Sequence, residues 1–225
     1  MQQFRDTDPV PITSVDELVT VVRELHHPDV RTVLGVVGPP GSGKSHLARF
    51  LVATTGTARA AIVQQDGFHL ANDVLTRLGR REAKGAPDTF DTDGLIHLLD
   101  RLRTPAEGVV YAPEFRRELE EAINAAVPIA PEVELVVVEG NYLLLDDLPW
   151  RGVAERLDRT LYIDTSAALR RRRLLDRHRR TYGSAEAAAS WVEHVDEPNA
   201  RLVESTRRRA DAVVRELDLP AVIGG

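Results

Sequence analysis

The sequence predicts an α/β fold: three layers, with helices packed on both faces of a parallel sheet. Three observations carry that expectation. Short apolar runs alternate along the chain with segments whose apolar residues recur at helical spacing, the pattern of a parallel sheet joined by crossover helices. The strongest early run leads directly through a glycine-rich turn into a helical segment, TVLGVVGPPGSGKS (32–45). And 225 residues at 43% hydrophobic and 28% charged suffice for one substantial core.

Each element has its own signal. Ser14-Val15-Asp16-Glu17 fits a capping box, and Leu18, Val19, Val22 and Leu25 follow at helical spacing. Thr32–Val37 reads as a buried strand, and 44–54 as a helix with Leu47, Phe50 and Leu51 on one face. Residues 60–63 form a second strand and 95–102 a further helix. Strands are expected at 134–138 and 160–163, helices at 167–180 and 185–195, and a last short strand at 212–214. Residues 79–94 carry no clear period and read as a binding loop. With no internal repeat and no low-complexity linker, the expectation is a single domain over 1–225.

Composition excludes several classes. No apolar stretch approaches the roughly 20 residues of a membrane helix, and the first ten residues, MQQFRDTDPV, lack a leader pattern. There is no cysteine, hence neither disulfide framework nor thiolate metal site, and the expected compartment is the cytoplasm. A net charge of −6 argues against general nucleic-acid binding. Of 29 basic residues only Lys44 and Lys84 are lysine. Where arginine is otherwise the rule, a retained lysine points to a need for a slim point charge.

Gly38-Pro39-Pro40-Gly41-Ser42-Gly43-Lys44-Ser45 satisfies GxxxxGK[ST] in full, after a strand and opening a helix. Glycines let the backbone approach phosphate oxygens and aim N–H groups at them. The helix N-terminus adds a favourable dipole, the lysine reaches the β- and γ-phosphates, and the hydroxyl is placed for Mg²⁺. The fold is therefore expected to be a P-loop NTPase fold. Its nucleotide contacts are expected at Gly38, Gly41, Ser42, Gly43, Lys44, Ser45 and His46, with ATP and Mg²⁺ as cofactors. Neither lysine follows an asparagine, which removes the guanine-reading motif of GTPases, and no Ser-Gly-Gly signature of transporter ATPases occurs. A kinase remains, with an ATP-dependent switch protein of slow hydrolysis as the alternative.

Asp66-Gly67 after the second strand is either a hairpin turn or a carboxylate at a strand end. FHLANDV supplies no returning strand, so Asp66 reads as the group that accepts or positions a substrate hydroxyl proton, with a water-mediated Mg²⁺ role as the rival. Gly67 is expected to allow a sharp turn and Phe68 to pack beneath. His69 is either a substrate contact or a hydrogen-bonding support. Glu139 closes an apolar strand, as a Walker B acid or as a cap on the next loop. Arg170, Arg173, Arg177 and Arg180 share one helical face, either solvated or part of an arginine-rich lid over roughly 170–200, with Gly183-Ser184 as a hinge. Trp150 and Trp191 read as packing residues.

Taken together, GPPGSGKS, QQDGFHL, KGAPDTFD, YAPEFRRELEE, VVVEGNYLLL, the DRH of RRRRLLDRHRRTYG, and WVEHVDEPNARLV resemble a group of P-loop kinases similar to uridine kinase, phosphoribulokinase and bacterial pantothenate kinase. The nearest subgroup is known as nucleoside/nucleotide or fructose-transport-associated kinases. The resemblance covers roughly residues 30–215. It implies transfer of the ATP γ-phosphate to a hydroxyl of a small nucleoside-, sugar- or pantothenate-like acceptor. Asp66 matches the acidic residue beside that hydroxyl, Arg173 and Arg177 match lid arginines, and the loop from Lys84 through Phe90 to Asp91 matches one near the acceptor. His69, Lys84, Phe90, Arg116, Arg117 and Asn141 are the expected acceptor contacts. The resemblance also puts a cation, Arg116, where the family carries a carboxylate. This implies an acidic acceptor, unless Arg116 points outward to Glu120. Asn199 matches a position near the lid, as ligand contact or helix cap.

Overall fold

The computed structural model describes residues 8–25, 30–104, 108–215, 217 and 219. Residues 1–7, part of the stretch read as lacking a leader, lie outside the described residues. Strands β1 (Val10–Ile12), β2 (Thr32–Val37), β3 (Ala60–Gln64), β6 (Leu135–Gly140), β7 (Arg159–Asp164) and β8 (Ala212–Arg215) form one parallel sheet in the order β1-β8-β7-β2-β6-β3. β2 lies between β6 and β7, with Val33 opposite Val136 and Val36 opposite both Glu139 and Leu161. Alternation along β2 sends Val33 and Val37 to one face and Leu34 and Val36 to the other. On the first face pack α4 (Thr92–Arg103), through Leu95, Leu98, Leu99 and Leu102, and α5 (Trp150–Ala154), through Trp150 and Val153. On the second pack α1 (Val15–Glu24), through Leu18 and Val22, and α2 (Lys44–Thr55), through Leu47 and Leu51. β2 and β6, covered on both faces, are dominated by continuous apolar runs, which is why the sequence betrayed them; β1, exposed at Val10 and Pro11, was not expected. Among the described residues no helix is long and apolar enough to cross a membrane.

Besides β1 and the short helix α5, neither of them expected, further features depart from expectation. β4 (Val110–Arg116) and β5 (Glu121–Ile129) form an antiparallel hairpin apart from the main sheet, where no strand was expected. Its register shifts between Ala112 and Glu114, and Glu120 and Ala125 take left-handed backbone (φ 52° and 56°), so its alternation is broken in sequence. The expected loop at 79–94 follows α3 (Asn72–Arg77) and contains short 3-10 turns at Arg81–Ala83 and Pro87–Thr89. It ends where Asp91 caps α4 by accepting from the Gly94 N–H. Finally, α6 (Ala167–Tyr182) is followed by α7 (Ala185–Trp191), a π-helical stretch (Val192–Asp196) and α8 (Glu197–Glu204), in place of one helix over 185–195. Gly183 (φ 66°) ends α6 and Ser184 caps α7, so the two residues do form the corner between helices.

Candidate active site

The loop between β2 and α2 is built by two left-handed glycines, Gly41 (φ 78°) and Gly43 (φ 102°), which caps the helix. In the first turn of α2 the His46 N–H donates to the Gly43 carbonyl at 3.0 Å, while the N–H groups of Lys44 and Ser45 precede any intrahelical acceptor. Lys44 folds back, its Nζ donating to the Pro39 carbonyl at 3.2 Å. Burial pushes its ammonium down to about 8, opposed by the carboxylates of Glu139 and Asp66. Gly38 is buried against the Ser42 hydroxyl, and a Cβ there would meet it at 2.7 Å. The arginine face of α6 divides into different tasks. Arg170 is 1% exposed, behind the loop, with Nη1 donating to the Pro40 carbonyl at 3.3 Å and Nη2 to Glu204 at 3.2 Å. Arg173 Nη1 donates to the Gly41 and Ser42 carbonyls at 3.3 and 3.2 Å. Arg177 reaches the cleft in front, and Arg180 is solvent-exposed.

β3 passes at Gln64 into a 3-10 turn, Gln65–Phe68, that delivers Asp66 to the same cleft. Gln65, fully buried, accepts from the Tyr142 N–H at 2.9 Å and so locks this turn to the end of β6. Phe68 packs into the core beneath. Gly67 has a different reason from the one expected. Its φ is not left-handed; a Cβ would lie 2.6 Å from the Pro113 carbonyl of β4. Gly67→Ala is therefore expected to push the hairpin off the turn, costing about 1–3 kcal/mol and slowing turnover, as thermal unfolding and steady-state rates would read.

His69 Nδ1 lies 2.8 Å from the Asp66 carbonyl. A carbonyl only accepts, so Nδ1 carries the proton; burial lowers the ring's pKa, leaving a neutral imidazole with Nε2 as acceptor. The ring packs on Phe90 and Phe115, centroids 4.1 and 5.1 Å away. Phe90 itself is core, edge-on to Tyr142 and Trp150, and does not line the cleft. At the end of β6, Glu139 is 7% exposed and accepts from Ser45 Oγ at 2.7 Å. Burial raises its pKa, with Lys44 and the Ser45 hydrogen bond opposing. Asn141 follows on the cleft wall.

The hairpin supplies the opposite wall. Phe115 and Arg117 line it, while Arg116 between them is exposed and ion-paired at 3.5 Å with Glu114 rather than Glu120. Arg116 ends β4 and points outside; Arg117 follows in the turn, exposed at the border of the cleft. Lys84, 7% exposed, donates to Asn72 Oδ1 at 2.7 Å and to the Glu120 carbonyl at 2.6 Å, tying the loop to the hairpin turn. Trp150 is core, its indole N–H donating to the Pro87 carbonyl at 3.2 Å, but Trp191 lines the cleft. From the π-helical stretch and α8, Asp196 binds His178 at 2.8 Å and Asn199 Nδ2 donates to the Gly85 carbonyl at 3.4 Å. The His178–Asp196 pair and Arg81 are cleft residues that sequence reasoning did not single out. Only the DRH and VDEPN stretches hinted at the first. The cleft measures about 680 Å³. A second cavity of about 600 Å³ lies on the other flank of the glycine loop, lined by Leu47, Leu169, Arg173, Val214, Leu217 and Leu219. Gly41, Gly43, His46 and Arg177 border both.

A phosphate loop between two cavities, with a carboxylate on one side only, is the layout of a phosphotransferase, and comparison with known proteins agrees. The chain is 34% identical to the uncharacterized protein YggC of Escherichia coli over 84% of this chain and 79% of that one. It is 29% identical to a candidate uridine kinase of Schizosaccharomyces pombe over 96% of each. A crystal structure of a candidate fructose transport system kinase from Silicibacter sp. TM1040 superposes with a TM-score of 0.80 at 34% identity, over 87% of this chain and 96% of that one. The sequence profile of the phosphoribulokinase/uridine kinase family matches residues 33–222. The chain therefore belongs to the phosphoribulokinase/uridine kinase family of P-loop kinases, as an ATP-dependent phosphotransferase acting on a small hydroxyl-bearing molecule.

Proposed function

We propose that residues 1–225 act as one kinase domain in which Asp66 handles the acceptor hydroxyl and Lys44 the phosphoryl group it attacks. The observation that carries this reading is the presence of both side chains in one cleft, delivered from the ends of β2 and β3, the two strands that flank β6 in the sheet. The triphosphate lies along the glycine loop, and the nucleoside fits the second, more apolar cavity. The acceptor oxygen attacks the γ-phosphorus, the bond from that phosphorus to the β-bridging oxygen breaks, and the hydroxyl proton passes to Asp66. ADP and the phosphorylated acceptor leave. Arg177, from the lid, balances charge on the transferring oxygens, and Arg173 braces the loop carbonyls behind them.

The oxygens of Ser45 and Glu139 suit a hard divalent cation, and the buried carboxylate calls for a countercharge. Among the described residues no group of three or more His, Asp or Glu could hold a metal alone, so Mg²⁺ would take its remaining ligands from phosphate and water. When bound it neutralises phosphate charge. His69, Lys84, Arg117 and Asn141 are assigned to the acceptor.

ADP release with Mg-ATP across nucleosides, pentoses, hexoses and pantothenate, with Lys44→Ala as the blank, tests the reading. Stimulation by one acceptor class, absent in the blank, is expected. Tight ATP binding with uniformly low release would favour the switch protein instead.

A further inference from the structure

We propose that the acceptor is an oxyanion: a hydroxyl-bearing small molecule whose carboxylate or phosphate group is received by Lys84, Arg81 and Arg117. The proposal rests on the kinase reading above and narrows its substrate class.

Lys84 is the strongest argument. It is 93% buried on the cleft wall, and both of its hydrogen-bond partners, the Asn72 side-chain amide and the Glu120 carbonyl, are neutral. Among the described residues no carboxylate forms an ion pair with it. Glu121, the acid acting on it most strongly, is engaged instead with the Asn72 backbone N–H at 3.0 Å. An ammonium has three protons; two are used, and the Nζ lies 5.2 Å from the ring centroid of Phe115, itself a cleft residue. Holding such a charge on neutral dipoles, a ring face and carboxylates that make no ion pair with it is costly, and a ligand anion lowers the cost.

The guanidiniums of Arg81 and Arg117 line the same cleft. Neither has a hydrogen bond or ion pair among the described residues, whereas Arg80, Arg103, Arg151 and Arg156 elsewhere all do. Carboxylates are not scarce: the chain carries 35 acidic against 29 basic residues. The carboxylates of the cleft are in part committed, Asp196 to His178 and Glu139 to Ser45. Arg81 acts electrostatically on Lys84, and Arg117 on Lys44 and Arg177, so like charges converge from both sides of the acceptor space. The nucleotide accounts for Lys44, Arg173 and Arg177. It does not account for Lys84 and Arg81, which sit on the acceptor loop.

Matched acceptors test this with the full chain and Mg-ATP: glycerol, glycerate and glycerol 3-phosphate; ribose, ribonate and ribose 5-phosphate; pantothenol and pantothenate. The charged member of a set is expected to exceed its neutral counterpart in kcat/KM by at least tenfold. Preference between carboxylate and phosphate identifies the group. Lys84→Met and Arg81→Ala should each remove most of that gap while leaving the KM for ATP within twofold; Arg81, half-exposed and unpaired, is the variant least able to disturb folding. Equal or better turnover of the neutral members overturns the anion proposal and leaves the kinase reading standing. If no set is turned over, calorimetry with inorganic phosphate decides, using protein saturated with a non-hydrolysable Mg-ATP analogue. Phosphate binding weakened by Lys84→Met and Arg81→Ala supports the proposal. No binding, or binding indifferent to both, overturns it. Failure of the analogue itself to bind would instead sink the nucleotide reading.

Discussion

Asp66→Asn is expected to lower kcat and kcat/KM together by about 10³-fold while leaving the KM for ATP nearly unchanged. Equal loss in both is the mark of an interaction made only in the transition state. The substitution suits the question because the 3-10 turn is held by other groups: Gln65 to Tyr142, and the Asp66 carbonyl, not its carboxylate, to His69. An amide fills the same space and cannot take the acceptor's proton. One side effect has a known sign. The Asp66 charge helps hold Lys44 protonated, so its removal drives the Lys44 pKa below about 8. Assays at pH 6.5 as well as 8 separate the two effects: loss through Lys44 recovers at the lower pH, and loss of the base does not. A variant within threefold of the parent at both pH values would remove Asp66 from the chemistry.

How far the site could be read in sequence depends on how local its determinants are. The loop from Gly38 to Ser45 is written in consecutive residues, because left-handed glycines, the helix start and the lysine must adjoin. Strands such as β2 and β6, buried on both faces, announce themselves by continuous apolar runs. The hairpin does not. Its alternation is interrupted by the register shift at Ala112–Glu114 and by prolines at 113 and 128, and Arg117, which borders the cleft, lies past the end of β4 in the turn. Gly67 looked like a turn residue, yet what demands it is the Pro113 carbonyl, far along the chain. A π-helical stretch has no periodicity of its own in sequence, so the placing of Asp196 in the cleft is not legible there, whereas Asn199, in α8, is reached only through the resemblance. Arg170 fits the same helical stripe as Arg173 and Arg177. Its burial is set by Glu197 and Glu204, which only the folded chain brings near.

That long-range placement gives Arg170→Met the second large effect. The guanidinium is 1% exposed and joins three segments: α6, the phosphate loop through the Pro40 carbonyl, and α8 through Glu204 at 3.2 Å and Glu197 at 3.7 Å. Methionine keeps much of the volume, but Glu197, at 21% side-chain exposure, is left without its cation. Half-exposed Glu204 can hydrate and adds little. A loss of about 3 kcal/mol is expected for the uncompensated charge, and at this chain size it corresponds to a fall in Tm of roughly 6–12 °C. A separate functional loss should accompany it. α6 touches the glycine loop so closely that a Cβ on Gly41 would meet the Arg170 carbonyl at 2.8 Å, and the same helix carries Arg177 and His178 into the cleft. Freed from Pro40, the loop should hold phosphate less firmly, raising the KM for ATP several-fold at temperatures where the variant is fully folded. Combining Arg170→Met with Glu197→Gln separates the two consequences. Neutralising the stranded acid should restore much of the stability, since the penalty belongs to the unpaired charge. It should not restore the KM, since the donor to Pro40 is still missing. Recovery of both would mean that Arg170 works through α8 alone, and that contact between helix and loop is dispensable for binding ATP.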